Sequence, residues 1–200
     1  MLCTFFIVIS SSFFFFSSAH LMLLTKTSVQ MVSLSDYFAS KLSILDSRLP
    51  KFHYVKTFYG EIRNGSDIEY VTIEEKLEGD FSKYLNNDGV CIEDTPDLVD
   101  QAYCLAHFSF ETSEEKLLLT DIQGCGMKLT DPEIASSDFH VNKKALFCIG
   151  NICRKAIKNF GCTHECNRFC TIAGLTPLDL KKFEEYDDAI ILPDGTRVEV

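Results

Sequence analysis

The sequence predicts an α+β domain, and three stretches carry that expectation. Val29, Val32, Leu34, Tyr37, Phe38, Leu42 and Leu45 recur at helical spacing across residues 28–49, and Pro50 stops the pattern. Residues 52–59 and 69–73 run or alternate as strands around Asn64, Gly65 and Ser66, which suggests a hairpin. Leu117, Leu118 and Leu119 begin an apolar run that ends in Asp121, Gln123, Gly124 and Gly126, so a buried strand is expected to open into a turn there. Thr95, Pro96 and Asp97 open a further helix with Leu98, Val99, Ala102, Tyr103 and Leu105 on its apolar face. Residues 107–111 are expected to continue as a strand, and residues 135–146 show no period and read as a mobile loop.

Two hundred residues with 46% hydrophobic content suffice for one core or for a small two-lobed domain. A formal charge of −10 with no basic stripe excludes a nucleic-acid binder that works by neutralising phosphates. Nine cysteines are an odd number for a disulfide framework, and Cys148, Cys153, Cys162, Cys166 and Cys170 crowd around His164. Metal binding in a reducing compartment fits that crowding better than stapling.

Residues 1–25 carry no formal charge and alternate between phenylalanine-rich and serine-rich runs. Three readings compete: a signal peptide ending at Ala19 but lacking a basic n-region, a membrane span diluted by serines, or a non-native start. The last is the preferred expectation, because the residues after it read as a domain entered partway through.

Asp121 and Gln123, two apart on an extended chain, point to one face, and glycines at 124 and 126 let the backbone bend and let a ligand approach. Asp131 comes ten residues later. Two acids and an amide in one cleft suit Mg²⁺ and a nucleotide, because Mg²⁺ takes hard oxygen ligands and keeps substrate phosphates among them. The competing reading makes Asp131 the N-cap of a helix begun by Pro132, with Asp121 a turn residue. Residues 86–89 lack the spaced acids and terminal glutamate of a calcium loop, which excludes an EF-hand.

Cys166 and Cys170 are four apart, on one helical face, with His164 just ahead of them. Those three can meet a tetrahedral zinc, whose fourth ligand must come from another segment. Cys162 is the local candidate and His107 the remote one; buried free cysteines acting as small hydrophobes are the alternative.

Asp121-Ile122-Gln123-Gly124-Cys125-Gly126, then Leu129-Thr130-Asp131-Pro132-Glu133-Ile134, resembles the signature of the alpha-kinases, an atypical family of serine/threonine protein kinases. Gly79, Phe81, Lys83, Tyr84, Asn87 and Gly89 resemble a second family motif, and His164, Cys166, Asn167 and Cys170 a third. The resemblance runs from about Val29 to Leu180. It implies a two-lobed fold, with residues 26–85 a partial N-lobe, 86–181 a zinc-stabilised C-lobe and 182–200 a tail.

It further implies that Glu74 ends the last N-lobe strand at the hinge that holds adenine. Asp121 would orient or deprotonate the acceptor hydroxyl, Gln123 and Asp131 would hold Mg²⁺ against the ATP phosphates, and His107, His164, Cys166 and Cys170 would hold zinc. The implied function is transfer of the ATP γ-phosphate to a serine or threonine of a protein substrate, in the cytoplasm, or at a membrane or in secretion if residues 1–25 are a genuine targeting segment. A truncated or degenerate domain acting as a non-catalytic binding module is the alternative, and a small zinc-binding interaction module a third. Two features depart from the family: Lys26 is the only lysine before Lys41, where a phosphate-binding lysine is expected upstream, and Asn151-Ile152-Cys153 stands where an Asn-x-Gly motif is usual.

Overall fold

The computed structural model describes residues 5–9, 18–91, 96–136, 140–141, 144–145, 147, 153–185, 190–191 and 197–198. Thr95, Cys148 and the Asn151-Ile152 pair lie outside them. Strand β1 (Phe5–Ile9) is followed by helix α1 (Ser18–Ser43). Met31, Val32, Ser35, Phe38, Ala39 and Leu42 form the buried stripe of α1, a spacing that winds along one helical face. The helix starts earlier and ends earlier than its apolar pattern suggests. Asp46 accepts from the backbone N–H of Arg48 and ion-pairs with its guanidinium at 2.8 Å, a local turn that competes with further helix well before Pro50. The anticipated boundary between residues 25 and 26 falls inside α1, and no described helix is long and apolar enough to cross a membrane.

Strands β2 (His53–Tyr54), β3 (Thr57–Asn64), β4 (Asp67–Glu75) and β5 (Phe81–Leu85) come next. The expected hairpin is present: β3 and β4 pair antiparallel from Thr57↔Glu74 to Asn64↔Asp67, closing on Gly65 and Ser66 with Gly65 at φ 64°. A two-residue loop led by glycine at positive φ matches the twist of the flanking strands. β1 pairs with the other side of β4, giving the order β1-β4-β3, so part of the N-terminal hydrophobic run is a sheet strand.

Helix α2 (Asp97–Thr112) is the centre of the molecule, buried without interruption from Gln101 to Phe110. This corrects the strand expected at residues 107–111, since His107, Phe108, Ser109 and Phe110 are the last turns of α2. A helix buried on every side shows no amphipathic period, so its C-terminal half is easily read as extended. After it come β6 (Leu117–Thr120), β7 (Ile122–Cys125), β8 (Lys128–Thr130) and β9 (Glu133–Ser136). β7 and β8 join the sheet β2-β8-β7-β5, and β6 pairs with β9. The helix start considered at Asp131 is overturned, because Glu133 and Ile134 begin a strand.

The remainder comprises β10 (His140–Val141) paired with β11 (Lys144–Ala145), α3 (Cys153–Thr163), α4 (Arg168–Ala173), α5 (Leu180–Glu184), and β12 (Ile190–Ile191) paired with β13 (Arg197–Val198). The stretch expected to be a mobile loop, residues 135–146, therefore holds the last two residues of β9 and a short strand pair. Leu105, Leu118, Ile122, Leu129, Ile157 and Phe160 are at most 1% exposed and join α2, the central strands and α3 into one core.

Candidate functional site

Strand register explains why Asp121 and Asp131, ten residues apart, come together. Thr120 pairs with Glu133 in the β6–β9 ladder and Gln123 pairs with Thr130 in the β7–β8 ladder, so the residues between the ladders face one another. Gln123 Nε2 bridges the gap, donating to Asp121 Oδ2 and to the Asp131 backbone carbonyl, both at 3.2 Å. Both bonds use Nε2, which leaves Oε1 as the acceptor available to a cation. Asp121 and Asp131 both adopt left-handed backbone, with φ of 52° and 45°. Non-glycine residues in that region are uncommon, and such strain gathers at functional sites.

Gly124 is required by close packing, since a Cβ at that position would stand 2.0 Å from the Lys128 carbonyl oxygen. On the other side of β7, Lys83 of β5 reaches across the ladder to ion-pair with Asp121 Oδ1 at 2.5 Å. Sequence reasoning places Lys83 in a motif without giving it a role. Its signal is the period-two alternation of β5, which sets Phe81 and Lys83 on one face.

The electrostatics are those of a crowded acidic pocket. Burial first, then the charge of Asp121, pushes the Asp131 and Glu133 carboxyls above the ordinary range, with Lys83 pulling both back. Asp131 opens to solvent more than the half-buried Glu133, and water screens its shift accordingly. Glu74 is raised by burial and by Asp131, against the hydrogen bond that the Thr130 hydroxyl donates to its Oε2 at 2.6 Å. The end of β4, where a hinge is expected, is thereby tied to β8, with Glu75 and Lys128 adding an ion pair at 3.0 Å. Clustered carboxylates and a free amide oxygen are a hard-oxygen donor set, which fits Mg²⁺. Lys26, the one candidate upstream cation, lies over the Tyr59 ring, 5.0 Å from its centroid.

A second cluster joins α2 to α4 and the residues just before it. The ligand atoms of His107, His164, Cys166 and Cys170 all lie within 4.8 Å of one another. His164 Nε2 is 3.2 Å from His107 Nδ1, Cys166 Sγ is 3.6 Å from the same nitrogen, and Cys170 Sγ is 3.7 Å from His164 Nε2. Two imidazole nitrogens and two sulfurs converging on one point are the donor set of a structural zinc site. The Asn167 side chain caps α4 by accepting from the N–H groups of Phe169 and Cys170 and donates to the Asp100 carbonyl at 2.8 Å, fixing α4 against α2. His164 stacks on Phe160 with ring centroids 4.7 Å apart. A hydrogen bond from Cys104 favours the Cys170 thiolate, the form that ligates metal. Cys162, the local alternative, is exposed and stands outside the cluster.

The fold is shared with known structures. The alpha-kinase domain of myosin-II heavy chain kinase A in complex with adenosine matches at a TM-score of 0.71 and 23% identity, over 88% of this chain and 63% of that one. The same domain in complex with AMP-PNP matches at 0.68 and 25%, over 82% and 59%. Curated relatives include eukaryotic elongation factor 2 kinase of Mus musculus, 39% identical over 113 residues, which are 56% of this chain and 15% of the relative. The channel Transient receptor potential cation channel subfamily M member 7 of Homo sapiens is 34% identical over 125 residues, 62% of this chain and 7% of its own length. The chain thus spans a small part of the curated relatives it matches. The model of the alpha-kinase family matches residues 16–170, and the chain therefore belongs to the alpha-kinase family.

Proposed function

We propose that this chain is a protein serine/threonine kinase that moves the γ-phosphoryl group of ATP to a hydroxyl of a protein substrate. The observation that carries the reading is the Gln123 amide, which ties the Asp121 carboxylate to the Asp131 backbone beside Lys83. Asp121 orients the acceptor hydroxyl and takes its proton as the O–P bond forms and the bond from the γ-phosphorus to the leaving oxygen breaks. Lys83 holds Asp121 in place through their ion pair and sets a positive charge beside the reacting oxygens. Gln123 and Asp131 hold Mg²⁺, which when bound neutralises phosphate charge, the main demand of phosphoryl transfer. Glu74, fixed by Thr130, marks the adenine end. His107, His164, Cys166 and Cys170 hold a structural zinc, whose thiolate ligands suit a reducing cytoplasm.

Transfer of radiolabelled phosphate to a basic helical peptide tests the reading. The wild-type chain is expected to label the peptide and Asp131→Asn to fail, with both folded. Nucleotide binding without transfer by the wild-type chain would replace the kinase with the non-catalytic binding module.

A further inference from the structure

Between the two clusters runs a turn, residues 86–91, whose grip on α3 belongs to neither. The Asn86 carbonyl oxygen accepts the N–H of Gly89 at 3.3 Å, closing the turn, and also the N–H of Asp121 at 3.4 Å. The turn is held in place by α3. Asn159 Nδ2 donates to the Asp88 carbonyl at 2.9 Å, and the N–H of Cys91 donates to the Thr163 hydroxyl at 3.1 Å. Gly89, at φ 75°, lies against the helix so closely that a Cβ there would stand 2.2 Å from the Ala156 carbonyl oxygen. Ala156, Asn159 and Thr163 are spaced three and four apart, so a single face of α3 makes all three contacts.

The residue after α3 is His164, whose N–H continues the helix by donating to the Phe160 carbonyl at 2.8 Å. At the other end of the relay, Asp121, tied to the turn through its own N–H, is held by Lys83. A shift of α3 must therefore move the Asn86 carbonyl, and with it the backbone that holds Asp121 in its left-handed conformation.

We propose that Asn159 is a positioning residue for Asp121: its side-chain amide transmits the placement of α3, fixed at its end by the His164 cluster, through the turn at 86–89 to the backbone of the catalytic aspartate. The inference rests on the kinase reading above. Asn159 is partly buried, far from the acidic pocket in sequence, and its side chain bonds to the turn rather than to either cluster.

The test is Asn159→Ala in the full chain, with steady-state kinetics, zinc content and amide hydrogen exchange at Asp121 measured together. Losing one neutral hydrogen bond is expected to lower kcat about tenfold, leave the KM for ATP within about twofold and leave zinc content unchanged, while exchange at the Asp121 amide quickens. Asn159→Asp, which keeps the shape but loses the donor, is expected to behave like Asn159→Ala. Unchanged Asp121 exchange in both variants would overturn the proposal, as would equal losses in kcat and zinc, which mark a merely structural residue. If the wild-type chain transfers no phosphate, the kinase reading fails on its own while the exchange measurement still decides the relay.

Discussion

The ammonium of Lys83 and the carboxylate of Asp121 form an ion pair at 2.5 Å across the β5–β7 ladder. The Lys83 side chain is 42% exposed and that of Asp121 18%, so the pair adds little stability. On the proposed kinase reading, its value lies in fixing one oxygen of Asp121 and leaving a positive charge beside the reacting atoms. Lys83→Ala is expected to lower kcat by about 100-fold, the usual loss when one preorganised charge partner is removed, and to shift the melting temperature little. Kinetics and calorimetry on one preparation check both halves.

Glu74, Asp131 and Glu133 hold their protons more tightly in the folded chain than in the unfolded one. The folded state then binds more protons, so their contribution to stability is fully present below the ordinary carboxylate range and is lost as pH rises through their raised values. Glu133→Gln is expected to melt at a higher temperature than wild type near pH 7, with the difference shrinking toward about pH 4, where unfolded carboxyls also protonate. Melting curves across that range decide it; a gap that widens on acidification contradicts the acidic-pocket electrostatics.

The two glycines of the signature turn differ in what surrounds them. At Gly124 a Cβ meets Lys128 backbone at 2.0 Å, whereas at Gly126, with φ 59°, nothing lies within 4 Å. Gly124→Ala is expected to destabilise by more than about 3 kcal/mol, the range of a backbone clash. Gly126→Ala should cost only about 1 kcal/mol, the penalty of left-handed backbone. Urea denaturation measures both.

Removing the zinc proposed for the His107, His164, Cys166 and Cys170 cluster is expected to unfold the part of the chain around α2 and α4. Structural zinc contributes on the order of 10 kcal/mol, comparable to a domain's whole net stability. Metal analysis, with circular dichroism before and after chelation, checks it. His107→Ala and Cys170→Ala should lose zinc, and Cys162→Ser should keep it.

Much of this is legible from residue order alone, because local patterns report local structure. The β3–β4 hairpin follows from alternation and a glycine, and His164, Cys166 and Cys170 group as their closeness in sequence suggests, but not on one helical face, because His164 and Cys166 precede the Asn167 cap that opens α4. Partnership across the chain is harder to read. His107 reads as the remote ligand yet also as part of a strand, because the full burial of α2 erases its period. Lys83 carries no role in the sequence because its partner lies 38 positions away, and strand pairing alone brings it to Asp121. The first twenty-five residues read as a separate segment on hydropathy, yet they supply β1 and the opening turns of α1.

The left-handed backbone at residues 121 and 131 has an evolutionary corollary. Aspartate and asparagine are the side chains that best tolerate this conformation, because a short polar group can bond locally. Asparagine is also one base change from aspartate in the genetic code. A lineage of this chain could therefore fall silent at either position in one mutational step without disturbing its architecture, and a carboxylate lost that way would leave a scaffold that still looks like an enzyme.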